Sequence, residues 1–327
     1  MISRRQWILG ALAAAQAWTA QPQGLKRMAK ALSEASAPPW RPKGIIIESH
    51  IHLFAGDPAR FPYNSGSYAP HPEPVEQYVK FAGEAHIDHA VIVHPEPYQD
   101  DHRYLEYSFA HEPSPGFFKA TCLFDPIDPQ TPQRMRALVE RHPGRIVALR
   151  IHETHTAGTP STTSGLIRDR DLRDPQMAVT WRAAHELGLD IQIHCIPHYA
   201  VQIGELAAKF HETPVILDHL ARAGQGTPEE FEQVLNLAKL PQVYMKYSSA
   251  GVETVSKEPY PHLDAKPVVK RVYEAFGAER MIWGGLGTNM TEFEREVKLF
   301  DLMFDFAPEA ERAKIRGLTA QRLFRFS

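Results

Sequence analysis

Residues 45–52 read IIIESHIH, an apolar run that ends in two histidines two positions apart. Alternate residues of a β-strand point to the same side, so His50 and His52 face one way at the carboxyl end of this run. Two imidazoles placed like this can chelate one divalent ion. Barrel enzymes carry their chemistry at the carboxyl ends of their strands. The stretch therefore suits the first strand of a barrel and one part of its site.

Seven further short apolar runs follow and alternate with longer amphipathic stretches. Near-continuous apolar runs of this length suit parallel strands that are covered on both faces. With the first run, the predicted strands are Ile45–Ser49, His89–Val93, Phe117–Phe124, Ile146–Ile151, Asp190–His194, Pro214–Asp218, Gln242–Tyr247 and Arg280–Gly284. The clearest predicted helices are Thr131–His142, Pro175–Leu187, Val201–His211, Pro228–Lys239, Pro267–Phe276 and Thr291–Phe306.

Eight strands that alternate with helices predict a (β/α)8 TIM barrel, as a single domain over residues 44–327. An open, doubly wound sheet is the alternative, but no Gly-x-Gly-x-x-Gly pattern follows the first strand. Three longer connections, residues 53–74, 152–174 and 248–266, each leave the carboxyl end of a strand. We interpret them as loops over the site; the alternative is that they are insertions without function.

The amino-terminal residues 1–20 are predicted to be a signal peptide. Arg4 and Arg5 precede an apolar stretch over 7–15, and small residues follow. The order Ser-Arg-Arg-x-aromatic-aliphatic resembles a twin-arginine signal, which implies the twin-arginine export machinery as a partner and a periplasmic location. An uncleaved anchor is the alternative, but the stretch is short for a membrane span, so no stable membrane insertion is expected. Residues 21–43 are predicted to be a linker.

The composition is that of a globular protein, with 43% hydrophobic and 23% charged residues and a net charge of −3. No run of Lys or Arg follows the amino terminus, which argues against a nucleic-acid surface. Histidine is abundant, at 17 residues, and it serves both as metal ligand and as acid or base. Cys122 and Cys195 both lie in apolar stretches, which favours buried thiols but leaves a disulfide open.

Other motifs appear in order along the chain. Predicted strand 5 ends in His194, strand 6 is followed by the triplet DHL over 218–220, and strand 7 reads VYMKYS over 243–248. Strand 8 reads RMIWGG over 280–285, and the chain ends with GLTAQRLF over 317–324. Together with E-x-H-x-H at strand 1, this set resembles the amidohydrolase-related branch of the amidohydrolase superfamily. That branch contains lactonases, hydratases and non-oxidative decarboxylases, and the resemblance covers about residues 45–325.

The resemblance implies that His50, His52 and His194 bind a divalent ion, zinc or manganese, and that His219 touches the substrate or the attacking water. One position departs from the pattern, because Leu286 stands where the branch has a metal-binding and proton-accepting aspartate. Three histidines and water can still form a catalytic zinc site. The alternatives are a site without metal, with His219 as the base, or a site that only binds.

Further candidates come from neighbouring strands. Arg150 and His152 face the same way on strand 4, and Arg150 can hold a substrate carboxylate. Lys246 on strand 7 is a second candidate for substrate binding. Asp218 is expected to point away from His219 and to be structural. The secondary candidates for the site are Glu48, His94, His198 and Asn289.

The sequence therefore predicts a hydrolase of a small molecule, a sugar-derived or carboxylated lactone. A decarboxylase or hydratase of a small acid is the first alternative, since Glu48 lies next to the predicted metal site and the branch contains such enzymes. A non-catalytic binding protein is the second, because Leu286 replaces the expected aspartate. Fold-level analogy alone does not choose among them.

Overall fold

The computed structural model describes residues 37–162 and 167–327. Its strands form one eight-stranded parallel sheet in chain order, as the (β/α)8 prediction requires, so the predicted TIM barrel is confirmed. The strands are β1 Ile47–Ile51, β2 His89–Val93, β3 Phe118–Leu123, β4 Ile146–Glu153, β5 Asp190–Cys195, β6 Val215–Leu217, β7 Val243–Tyr247 and β8 Met281–Trp283.

Helices follow each strand, and all but the short helix Glu309–Ala313 bury apolar side chains. They are α1 Val75–Ala85, α2 Arg103–Ala110, α3 Thr131–Arg141, α4 Pro175–Glu186, α5 Ala200–Lys209, α6 Pro228–Asn236, α7 Ser249–Val255, α8 Lys266–Phe276, α9 Met290–Met303, α10 Glu309–Ala313 and α11 Thr319–Leu323. The start of α6 shows how the sequence sets these bounds. The Thr227 hydroxyl oxygen accepts from the backbone N–H of Glu230, and the Glu230 carboxylate accepts from the backbone N–H of Thr227. Pro228 occupies the first turn of the helix.

A large apolar cluster lies between the sheet and the helices. A smaller cluster joins strand residues such as Ile47, Val147 and Ile216 to Phe324 at the carboxyl terminus. Lys119 on β3 donates to the Phe324 carbonyl at 2.6 Å, which fixes the chain end against the barrel. The carboxyl-terminal segment therefore closes the end of the barrel opposite the strand ends that carry the histidines.

The last strand meets the first through side chains as well as packing. Ser49 Oγ donates to the Trp283 carbonyl at 2.6 Å. The Glu48 carboxylate accepts from the backbone N–H groups of Gly285 at 2.8 Å and Leu286 at 2.6 Å. At Gly284 a Cβ would come within 2.7 Å of Ser49 Oγ, so this position requires glycine. We call this junction of β8 and β1 the seam.

Within the described ranges no helix is both long and apolar enough to cross a membrane. Cys122 and Cys195 are buried free thiols in separate strands, as the sequence favoured. The predicted signal peptide and residues 21–36 of the predicted linker lie outside the described residues.

Candidate active site

Five histidines meet at the carboxyl end of the barrel: His50, His52, His152, His194 and His219. Ring centroids are 4.4 Å apart for His50 and His219 and 4.9 Å apart for His50 and His52. They are 5.3 Å apart for His194 and His219 and 5.6 Å apart for His152 and His194. The structure thus brings the five main histidine candidates into one group, which we call the histidine cluster, whereas the secondary candidates His94 and His198 lie outside it.

The pair from β1 has the geometry of two ligands on one ion. His50 Nε2 and His52 Nε2 lie 3.4 Å apart. Two nitrogens bound at about 2.0–2.1 Å to a tetrahedral ion are separated by roughly 3.3 Å. His52 Nδ1 lies 2.7 Å from the Val93 carbonyl, so its proton sits there and the lone pair is on Nε2. These residues therefore fit a divalent ion.

Asp218 lies beneath the histidine cluster, and our prediction that it points away from the site is wrong. Its Oδ1 is 3.1 Å from Lys246 Nζ and 3.5 Å from His50 Nδ1, and its Oδ2 accepts from Gln192 at 3.0 Å. Asp218 has extended backbone (φ −73°, ψ 144°), so alternation places it on the inward face with Ile216, and it is His219 that reaches the site through a change of backbone direction. Burial opposes ionisation of Asp218, but Lys246 and His50 hold its pKa well below the usual range.

Lys246 is wholly buried, with Nζ 3.2 Å from His50 Nδ1. It was predicted to bind substrate, but it lies under the cluster and neutralises Asp218 instead. The Lys246 ammonium can donate to His50 Nδ1, whereas in the other tautomer, which a metal ion on Nε2 would require, Nδ1–H can donate to Asp218. Asp218 and Lys246 therefore orient the first histidine and balance the charge below it.

A left-handed turn carries two site residues. The φ angles of His219, Leu220, Ala221 and Arg222 are 56°, 55°, 51° and 49°. Such angles are uncommon for residues other than glycine, and four in succession have a cost in backbone energy. The turn is supported by Gly251, where a Cβ would lie 2.6 Å from the His219 carbonyl carbon.

The turn places Arg222 at the cluster, where Nη1 lies 3.1 Å from His194 Nε2. Our sequence reasoning missed Arg222, although a basic residue three positions after His219 was a signal that could have identified it. Three residues at the cluster, His50, Asp218 and His219, each have a possible ligand atom within 4.8 Å of the other two. His194 is outside that set, so its predicted role as third metal ligand stays a prediction that requires Arg222 to move.

His219 is placed to exchange a proton. Its Nδ1 lies 2.7 Å from Ser248 Oγ at the end of β7. When Nδ1–H donates to this hydroxyl, the lone pair is on Nε2, which faces the cluster. Burial lowers the pKa of His219 to about 4 and that of His52 to about 3. Both rings are therefore neutral near pH 7 and can accept a proton or a metal ion.

Arg150 and His152 extend from β4 into the same end of the barrel, as predicted. Arg150 is 3% exposed and its Nε lies 3.6 Å from Asp218 Oδ2. Arg150 Nε and His152 Nε2 are both buried without a hydrogen-bond partner. These two nitrogens are donors or acceptors that a bound molecule can satisfy.

Glu48 was a secondary candidate for metal binding, and its carboxylate instead accepts three backbone N–H groups. Two come from the seam, and the third comes from His50 at 2.6 Å. Burial raises the pKa of Glu48, which these hydrogen bonds oppose. Leu286 is fully buried in the apolar core. The carboxyl end of β8 therefore supplies no acid at that position.

The other secondary candidates have contacts outside the cluster. Asn289 caps α9, since its Oδ1 accepts from the backbone N–H groups of Thr291 and Glu292. His94 Nε2 lies 3.0 Å from the Gln99 carbonyl. His198 Nδ1 lies 2.9 Å from Glu230 Oε1. Each of these polar groups is engaged in holding a loop or a helix end.

The family model described as amidohydrolase matches residues 47–326, which is most of the chain. The chain belongs to the amidohydrolase family. This confirms the resemblance drawn from the strand-end motifs and the prediction of a hydrolase at the level of the family.

This amidohydrolase is similar in sequence to one characterised hydrolase and in fold to several solved structures. The 4-sulfomuconolactone hydrolase of Hydrogenophaga intermedia is 26% identical over 288 residues, covering 85% of this chain and 88% of the relative. A probable 2-pyrone-4,6-dicarboxylic acid hydrolase from Acinetobacter baumannii, solved with citric acid bound, has a TM-score of 0.68 at 20% identity and covers 86% of this chain and 100% of its own. An amidohydrolase from Burkholderia multivorans, solved with bound zinc, has a TM-score of 0.65 at 16% identity and covers 87% and 100%.

Proposed function

We propose that this amidohydrolase hydrolyses a lactone that carries a carboxylate or sulfonate group. The observation that carries the proposal is the pair of guanidinium groups, Arg150 and Arg222, beside neutral imidazoles at the barrel mouth. Guanidinium groups bind planar oxyanions through two parallel hydrogen bonds. The names of two relatives, a sulfomuconolactone hydrolase and a pyrone-dicarboxylic acid hydrolase, support an anionic lactone.

The chain supplies the base for such a reaction. A water molecule attacks the ester carbonyl carbon and gives its proton to Nε2 of His219, which Ser248 holds through Nδ1. The ring C–O bond then breaks, and the ring oxygen takes the proton from His219. One lactone and one water thus yield one hydroxy acid, and His219 is restored.

His50 and His52 would hold a divalent ion, which when bound acts as a Lewis acid toward the ester carbonyl. Arg150 and Arg222 would bind the anionic substituent and so fix which face of the ring His219 meets.

The test compares an anionic lactone with a neutral lactone of the same ring size. Replacement of Arg222 by Gln should raise KM for the anionic lactone about 10- to 100-fold and change the neutral one little, because a charge-assisted contact contributes about 1.5–3 kcal/mol. The His219→Asn variant should lower kcat on both about 10²- to 10⁴-fold. A control variant, His142→Ala, removes a histidine that faces Glu106 away from the cluster.

Release of CO2 from carboxylic acids, without any lactone hydrolysis, would replace this proposal with the decarboxylase alternative. Tight binding of anionic lactones without turnover would instead favour the alternative of a non-catalytic binding protein.

We also propose export through the twin-arginine route, which rests on the sequence SRRQWIL over 3–9. Replacement of Arg4 and Arg5 by Lys should retain the protein in the cytoplasm, as cell fractionation would show. An unchanged periplasmic fraction in the variant would contradict this route.

A further inference from the structure

A second group of possible ligands lies at the end of β4, outside the histidine cluster. It consists of Glu153, His155 and Asp169, whose ligand atoms all lie within 4.8 Å of one another. His155 Nδ1 is 3.7 Å from Glu153 Oε2 and 3.8 Å from Asp169 Oδ1. These distances are too long for hydrogen bonds and near the separation of two donors on one ion, roughly 3.0–3.6 Å for bonds of about 2.0–2.2 Å.

Glu153 is the observation that points to a ligand. Its side chain is 0% exposed, and neither carboxylate oxygen has a hydrogen-bond partner of ordinary geometry. Burial and the carboxylates of Asp169 and Asp171 raise the pKa of Glu153 to about 9, which the backbone and side chain of Arg170 partly oppose. A buried carboxylate without a partner is costly, and a bound cation removes that cost.

Asp169 is held in place by the backbone. Its φ is +52°, and its Oδ1 accepts from the N–H groups of Thr154 at 2.6 Å and His155 at 3.1 Å. Its own N–H donates to the His152 carbonyl at 2.9 Å. Asp169 is therefore fastened to the end of β4, and the three ligands are arranged before any ion arrives.

We propose that Glu153, His155 and Asp169 bind a divalent transition-metal ion that ties the chain at Asp169 to the end of β4. Two carboxylates and one imidazole are ligands that suit zinc and manganese. The Tyr199 hydroxyl lies 2.9 Å from His155 Nδ1 and also contacts Nε2, so ion binding at Nδ1 exchanges that hydrogen bond for a metal bond. His155 keeps 12% of its side chain exposed, which gives the ion a route from solvent.

The test counts zinc and manganese per chain by elemental analysis, after dialysis of the full-length protein against each ion. In the His50→Ala/His52→Ala variant about one equivalent of one ion should remain, because the second group is intact. Addition of His155→Ala or Asp169→Asn to this variant should remove it, or weaken binding at least tenfold in a calorimetric titration. Addition of His142→Ala, a histidine that faces Glu106 elsewhere, should leave it unchanged.

Two results would overturn the proposal. One is a His50→Ala/His52→Ala protein that retains neither ion. The other is a retained ion that persists in both the His155→Ala and Asp169→Asn variants. Circular dichroism of each variant separates loss of the ion from loss of the fold. If the histidine cluster binds no metal at all, the wild-type protein should still hold one equivalent that depends on His155.

Discussion

Replacement of Glu48 by Gln tests whether the seam of the barrel depends on a buried negative charge. Oε1 accepts from the N–H groups of His50 at 2.6 Å and Gly285 at 2.8 Å, and Oε2 accepts from Leu286 at 2.6 Å. Glutamine has nearly the same shape but only one acceptor atom. Its NH2 group would have to face one of the three N–H donors.

The cost follows from these contacts. A buried donor left without an acceptor costs about 1–3 kcal/mol, and hydrogen bonds to a charged group are worth about 1.5–3 kcal/mol against about 1 kcal/mol for neutral ones. Relief of the buried charge offsets part of the loss, since burial raises the pKa of Glu48. We expect Glu48→Gln to lower the free energy of unfolding by about 2–5 kcal/mol.

Urea unfolding followed by circular dichroism measures this change. The matched control is Glu296→Gln, since Glu296 is also buried but its Oε2 has no hydrogen-bond partner. That control should lose less than about 1 kcal/mol. Equal losses in the two variants would refute the reasoning, because the seam would then gain nothing from the charge of Glu48.

The buried groups of the site give three further predictions. In the folded chain the pKa is about 3 for His52 and about 4 for His219, so the unfolded chain binds more protons below about pH 6.5. The free energy of unfolding should therefore fall as the pH drops to about 4, by up to about 1.4 kcal/mol per pH unit for each histidine. A free energy of unfolding that does not change with pH in urea unfolding would contradict this. Leu286→Asp should lose about 3–5 kcal/mol in the same assay because it buries an unpaired carboxylate, and an unchanged midpoint would mean that the position is not enclosed. Lys246→Met should lower the free energy of unfolding by about 3–5 kcal/mol because it leaves Asp218 buried without its partner, and the double variant Lys246→Met/Asp218→Asn should lose clearly less. Additive losses in the two single variants would argue against the ion pair.

The barrel was predictable from the sequence because each of its strands and helices is specified by a short stretch of neighbouring residues. Each strand is a short apolar run, and the alternation with helices sets the order of the sheet. The histidine cluster followed from the same source, since His50, His52 and His194 are at strand ends that point toward one mouth. Arg150 and His152 followed from strand alternation.

The remaining features depend on backbone geometry that alternation does not encode. The left-handed turn over 219–222 brings His219 into the site beside Asp218 and Arg222 to His194. Strand β4 runs to Glu153, two residues past its predicted end, and Asp169 meets it across a long loop. Contacts between residues so far apart in sequence are fixed by the folded chain rather than by any short pattern.

The seam also has a consequence for synthesis of the chain. Glu48 and Ser49 leave the ribosome early, whereas their partners Trp283, Gly285 and Leu286 are made near the end. Until then the carboxylate of Glu48 has only water and the nearby N–H of His50 as partners, which favours leaving β1 exposed. Because domains fold as units during translation, closure of the ring waits for the last strand. A nascent chain that stops before β8 should therefore remain open and be recognisable to proteases as unfinished.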